Sequence, residues 1–190
     1  VSLGVIPGAG GCLRLSRMIG IQPAMEIIAA GQMGLKRAPK ALGMGLVDEL
    51  CDSPEALRVA AERWIADNPR GVQPWDKKGF RFPPPAPGTE AARDLMTGVC
   101  AFINKRTAGA YLAPQVAARA VYEGGMINMD RALEVEARLF VNLAVGDQCK
   151  DMIRTLWYHK NAADKHEGLP ATEEQGIQKV GILGAGMMGA

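Results

Sequence analysis

Aromatic residues make up only 5% of this 190-residue sequence, and nowhere does it hold a run of about 18 apolar residues. Without such a run no helix can span a bilayer, so no integral membrane segment is expected. An excess of one charge is also missing. Twenty-two Lys and Arg face 20 Asp and Glu, a net charge of +2, and the basic residues are scattered among acids. A protein that grips nucleic acid through its phosphates needs a basic patch, so nucleic acid is not an expected partner. Cys12, Cys51, Cys100 and Cys149 lie far apart, with no C-x-x-C and no nearby His pair. Metal-ligand spacing is therefore absent, and reduced, structural cysteines in a reducing compartment are the natural reading. His159 and His166, at a helix end and in a linker, read as surface histidines. The first residues, Val1 to Pro7, carry neither an initiator Met nor the charged start and apolar core of a signal peptide. They read as the tail of a strand or loop belonging to a longer chain.

What is present is a globular composition, 48% hydrophobic with 23 glycines and 12 prolines, in a length that allows one full domain or two partial ones. After a glycine loop at Pro7 to Gly11, Leu13, Leu15, Met18 and Ile19 fall at helical spacing up to Gly20. Pro23 suits the first turn of a second helix that runs to Gly31, Ala38 to Leu42 give one more turn, and Leu46-Val47 suit a brief extended segment. Ser53-Pro54-Glu55 then supplies an N-cap, a proline at the first helical position and an early acid; Leu57, Ala60, Ala61, Trp64 and Ile65 make the expected buried stripe. Prolines between 69 and 88 predict an extended strap anchored by Trp75, Phe80 and Phe82. Helical pattern resumes at Thr89, with breaks at Gly109 and Pro114. It continues from Met129 to Val145 behind an Asn128 cap, with Leu133, Ala137, Phe140 and Ala144 on one face, and then from Asp147 to Asp164. Residues 166–176 read as a linker, and Gln178 to Leu183 as a short strand.

Two glycine clusters are candidates for chemistry. Gly184, Gly186 and Gly189 match G-x-G-x-x-G directly after that strand, a spacing that lets a backbone turn approach a pyrophosphate at a helix N-terminus. Spacing alone leaves nucleotide binding and a structural turn both open. The other cluster, Pro7 to Gly11, has no Lys-Ser/Thr pair and is not a P-loop. Free amides at the N-terminus of the helix it opens could hold an anion or a water molecule, so helix entry and active-site loop are both open.

Leu3-Gly4-Val5-Ile6-Pro7-Gly8-Ala9-Gly10-Gly11, followed by Arg14-Leu15 and Ile19-Gly20, resembles the signature loop and helix of the crotonase (enoyl-CoA hydratase/isomerase) family. Ala41-Leu42-Gly43-Met44-Gly45-Leu46-Val47-Asp48 is similar to that family's A-x-x-x-G-L-V-D stretch, and Leu133-x-x-Glu136 with Phe140 resembles its C-terminal helices. Joined to Lys179-Val180-Gly181-Ile182-Leu183-Gly184-Ala185-Gly186-Met187-Met188-Gly189-Ala190, the order resembles bacterial multifunctional β-oxidation enzymes, in which a crotonase domain precedes a 3-hydroxyacyl-CoA dehydrogenase. Cys12-Leu13 departs from the Thr-Gln usual in the family.

The resemblance implies a mainly α chain: the C-terminal helical part of a crotonase fold, followed by the first strand and glycine turn of a Rossmann α/β domain. Its units would be 1–68 and 112–165 of the crotonase domain, a proline-rich connector and helical insertion at 69–111, a linker at 166–176, and the start of an NAD-binding domain at 177–190. By residue matching, Gly8 would be catalytic, its N–H holding the water that adds to an enoyl-CoA. Gly184, Ala185, Gly186, Met187, Met188 and Gly189 would bind NAD. Lys160 would meet a phosphate of CoA, a solvated helix-end Lys being the other reading. Acyl-CoA thioesters as substrates, a thiolase β subunit as partner in a multienzyme complex and a bacterial cytoplasmic location are implied as well. The family's catalytic glutamates and the dehydrogenase's His and Glu match no position among these 190 residues, so these residues alone are expected to be inactive. A crotonase-type isomerase or hydrolase joined to another dinucleotide domain, and a non-catalytic helical scaffold, are the competing readings.

Overall fold

A computed structural model describes residues 1–30, 37–170 and 176–182. Among them the chain is mainly helical. Helix α1 (Gly11–Ile19) turns at Gly20 into α2 (Ile21–Ala30); α3 (Ala38–Gly43) and α4 (Pro54–Asp67) follow. After a short 3-10 turn at Pro74–Asp76 come α5 (Glu90–Thr107), α6 (Leu112–Gly125) and α7 (Met129–Ala144). The last helical stretch is α8 (Asp147–Ile153), a π-helical segment (Arg154–His159) and α9 (Lys160–Asp164).

Side-chain caps set several starts. Ser53 Oγ accepts the Ala56 N–H at 3.1 Å, Thr89 Oγ1 that of Ala92 at 3.2 Å, and Asn128 Oδ1 that of Arg131 at 3.0 Å. Each satisfies one amide that a helix N-terminus leaves without an internal partner. Pro114 does not break the helical pattern as expected. It stands in the first turn of α6, where the missing N–H costs nothing.

Helix α6 is the centre, packed by α1, α2, α5 and α7. Its buried face is almost all small: Ala113, Ala117, Ala118, Ala120, Val121 and Gly124. Small residues let four neighbours approach one axis, and Ile6, Ile21, Met25, Ile28 and Ile103 fill the space from outside. Each such aliphatic side chain contributes about 1.5–3 kcal/mol on burial. At Gly124 a Cβ would collide with Leu13 Cδ2, so the lack of a side chain there is what seats α1. Gln148 on α8 fixes the entry to α6, accepting from Leu112 N at 2.9 Å and donating to Ala110 O at 2.7 Å. The proline-rich strap crosses this body: Phe82 packs on the core, and Pro83 lies beside Gly20.

Several expectations are corrected. Helix α4 forms, but its stripe is not buried: Leu57 is 60% exposed, Trp64 51% and Ile65 64%. No described element makes extensive contact with α3 or α4, so among the described residues the amphipathic face stays largely uncovered. On α7 the buried side is Ala132, Glu136 and Leu143, flanked by Leu133, Leu139 and Phe140, while Ala137 is exposed. The 147–164 helix is interrupted by its π segment, where Leu156 and Trp157 are exposed. Leu46-Val47 form no strand, and neither do residues 178–182. A lone strand has no ladder to satisfy its amides, and among the described residues none pairs with it. Leu183 to Ala190, and Gly31 at the expected end of α2, lie outside the described residues.

Candidate active-site loop

The loop from Pro7 to Gly11 enters α1 through two consecutive left-handed residues, Ala9 at φ 53° and Gly10 at φ 85°. Gly10 is the N-cap residue and has no side chain with which to cap. The cap comes instead from α7, more than a hundred residues downstream. Glu136 Oε1 accepts the Gly10 N–H at 2.5 Å, and its Oε2 accepts those of Cys12 at 3.0 Å and Leu13 at 3.3 Å. Glu136 is only 1% exposed. The amides that the sequence left open for an anion or water are therefore taken by the protein's own carboxyl group. The sequence shows an acid on the apolar face of α7 but not the amides it meets.

Burial pushes the Glu136 carboxyl above its usual range, opposed by the three backbone N–H bonds and by the nearby Arg14 charge. The neighbouring Cys12 thiol is pushed up to about 12, first by burial and then by the Glu136 charge. It stays a thiol, with no thiolate chemistry near neutral pH. Arg14 also donates to Ala9 O, tying the side of the loop that Glu136 does not reach.

Gly8, at the tip, is exposed. Its carbonyl accepts from Gly11 N at 3.1 Å, and the Phe140 ring lies beneath it, 3.4 Å from where a Cβ would stand. No protein acceptor takes the Gly8 N–H among the described residues. The structure thus puts Gly8 on a loop that α7 meets at two points, Phe140 beside Gly8 and Glu136 at the start of α1. Lys160 is elsewhere: exposed on α9, it pairs with Asp164 one turn on, and no hydrogen bond or ion pair links it to the loop. Gly184, Ala185, Gly186, Met187, Met188 and Gly189 lie outside the described residues. Among the described residues no three His, Cys, Asp or Glu side chains group as a metal site.

No protein-family model matches the sequence. Curated relatives do. The chain is 34% identical over 191 residues to the fatty acid oxidation complex subunit alpha of Shewanella halifaxensis, and 31% identical over 191 residues to that of Shewanella loihica. Along its whole length the chain is similar to part of a fatty acid oxidation complex alpha subunit. It spans 26% of the length of these relatives, about a quarter.

Proposed function

We propose that these 190 residues are a segment of a multifunctional β-oxidation enzyme that hydrates 2-enoyl-CoA and oxidises 3-hydroxyacyl-CoA with NAD. The observation that carries the reading is similarity along the whole chain to subunits named for fatty acid oxidation. The geometry adds an exposed Gly8 on a loop whose exit into α1 is fixed by Glu136, a form suited to presenting one backbone N–H to a water molecule. In this reading 1–68 and 112–165 belong to a crotonase domain, 69–111 is its connector and insertion, 166–176 is a linker and 177–190 opens an NAD-binding domain. Gly8 holds the adding water, while carboxylates outside these residues move its protons.

NAD would sit over Gly184 to Gly189, a placement resting on residue order alone. When bound it accepts the hydride of the second step. Ala185, Met187 and Met188 would flank it. Lys160 would meet a phosphate of CoA only by giving up its pair with Asp164. A thiolase β subunit and a cytoplasmic location follow from the same family logic.

The test is made on the full-length protein that contains this chain. Gly186→Val puts methyl groups where a pyrophosphate would lie, so it should abolish NAD-dependent oxidation of a 3-hydroxyacyl-CoA and leave enoyl-CoA hydration nearly intact. Loss of neither activity would return Gly184 to Gly189 to the status of a turn. A full-length wild-type protein that hydrates no enoyl-CoA would favour the isomerase or hydrolase reading, and one with no acyl-CoA chemistry at all the scaffold.

A further inference from the structure

The Pro7–Gly11 loop has local ties, Gly11 N–H to Gly8 O at 3.1 Å and Arg14 to Ala9 O, but its turn into α1 also leans on a residue far along the chain. Ala9 sits at φ 53°, a conformation that costs a non-glycine residue free energy and persists only where its surroundings over-determine it. Gly10 follows at φ 85° and brings no capping side chain to α1. A local Ser, Thr, Asp or Asn would cap the helix without reference to the rest of the protein. Here the cap is a carboxyl group on α7, nearly inaccessible to solvent, with both oxygens engaged. One turn later on α7, the Phe140 ring lies under Gly8. The loop is thus referenced to α7 at two points, and Glu136 is the polar one.

We propose that Glu136 is a positioning residue of the enoyl-CoA site: by holding the amides of Gly10, Cys12 and Leu13 it sets the orientation in which the Gly8 N–H meets the adding water. This rests on the functional reading above, and it assigns Glu136 no contact with substrate and no proton transfer. Both its oxygens are engaged by backbone donors, three in all, and it is closed to solvent, so it is not placed for either. A displacement of about 1 Å at a catalytic donor can cost about 100-fold in rate. The loss should fall on the chemical step and spare binding, because the loop tip is one small part of an acyl-CoA's contacts.

The experiment uses the full-length protein, whose dehydrogenase activity reports on folding. Glu136→Gln keeps the shape and one acceptor oxygen but turns an NH2 group toward amide donors; Glu136→Asp keeps the acid and shortens its reach. For both, kcat and KM for enoyl-CoA hydration, the rate of 3-hydroxyacyl-CoA oxidation, and amide hydrogen exchange across residues 8–14 are measured. The expected result is faster exchange at 10–13, a fall in hydration kcat of about 10- to 100-fold, KM within about threefold, and unchanged oxidation. Faster exchange with unchanged hydration kcat would make Glu136 a structural cap only and overturn the proposal. Wild-type exchange is the measurement that needs no variant: amides of Gly10, Cys12 and Leu13 as open as that of Gly8 would overturn it even if both variants failed to fold. A folded wild type that oxidises but never hydrates overturns the functional reading and this proposal with it. An active wild type with unaffected variants overturns this proposal alone.

Discussion

The Arg17 guanidinium donates to the carbonyl oxygen of Gly124 at 2.9 Å, fastening α1 to the last turn of α6. The same side chain reaches Ile127 O at 3.0 Å and Leu13 O at 3.4 Å, and it is 5% exposed. A positive charge at a helix C-terminus meets carbonyls that have no partner within the helix, which offsets the cost of burying it. Burial lowers the Arg17 pKa from its ordinary value, and the carbonyls it meets favour the charged form.

Arg17→Met should therefore cost about 2–4 kcal/mol, because it leaves buried carbonyls without a donor. Arg17→Lys should fall between, since an ammonium cannot span the three acceptors in the guanidinium's fork. Urea unfolding followed by circular dichroism measures both. A Met variant as stable as wild type would mean that water replaces the side chain without penalty.

Two glycines three residues or fewer from α1 should respond in opposite ways. At Gly10 an added Cβ would face a positive φ, the Arg14 guanidinium, and Leu133 Cδ2 at 2.7 Å. Gly10→Ala should destabilise by about 2–4 kcal/mol, from the backbone penalty and the overpacking together. At Gly8 the nearest atom to a Cβ is Phe140 Cε2 at 3.4 Å, an ordinary contact, so Gly8→Ala should cost less than about 1 kcal/mol. Thermal unfolding separates the two. Should Gly8→Ala impair hydration in the full-length protein, that loss would be one of chemistry and not of fold.

Local signals in the sequence carried the helices well. Ser53 and Asn128 read as caps in the sequence, and each accepts an amide bond at its helix start; Thr89, read only as the point where helical pattern resumes, caps α5 as well. What local pattern could not carry was partnership. The apolar spacing of Leu57, Trp64 and Ile65 specifies a face but not what covers it, and here that face is exposed. Glu136 is the reverse case. Its type suggests solvent, yet its place among Ala132, Leu133 and Phe140 puts it inside, and only the fold brings Gly10 to it across 126 positions. The Gly8 loop was legible as a motif, while the device that holds it was not.

The raised pKa values of Glu136 and Cys12 have a shared sign. Each group holds its proton more tightly in the fold than in the open chain. Its contribution to stability is thus complete below the ordinary value and is lost as pH rises through the raised one. For Cys12 that window runs from 9.0 to about 12. For Glu136 it begins at the ordinary value of 4.5 and extends upward. Stability measured by urea midpoint should fall with pH in each window, and Cys12→Ala should flatten the alkaline slope alone. Alkylation with iodoacetamide at pH 8 gives an independent reading: the exposed Cys100 should react first, and the buried Cys12 and Cys149 only after unfolding. Rapid labelling of Cys12 in the folded protein would contradict both its burial and its pKa.

The exposed face of α4 should behave as a surface in these 190 residues. Trp64 and Ile65 are more than half exposed, and no described element packs extensively on their helix, so truncating either removes little buried area. Trp64→Ala and Ile65→Ala should each change global unfolding by less than about 0.5 kcal/mol, whereas Ile28→Ala, 5% exposed against α6, should cost about 2–5 kcal/mol. Ser53→Ala should cost about 1 kcal/mol, all of it local, because the lost bond to Ala56 N stabilises α4 alone. Hydrogen exchange makes the distinction directly. With Ser53→Ala, amides of α4 should exchange faster while those of α6 keep their protection; acceleration in both helices would mean that α4 unfolds with the core and is docked on it.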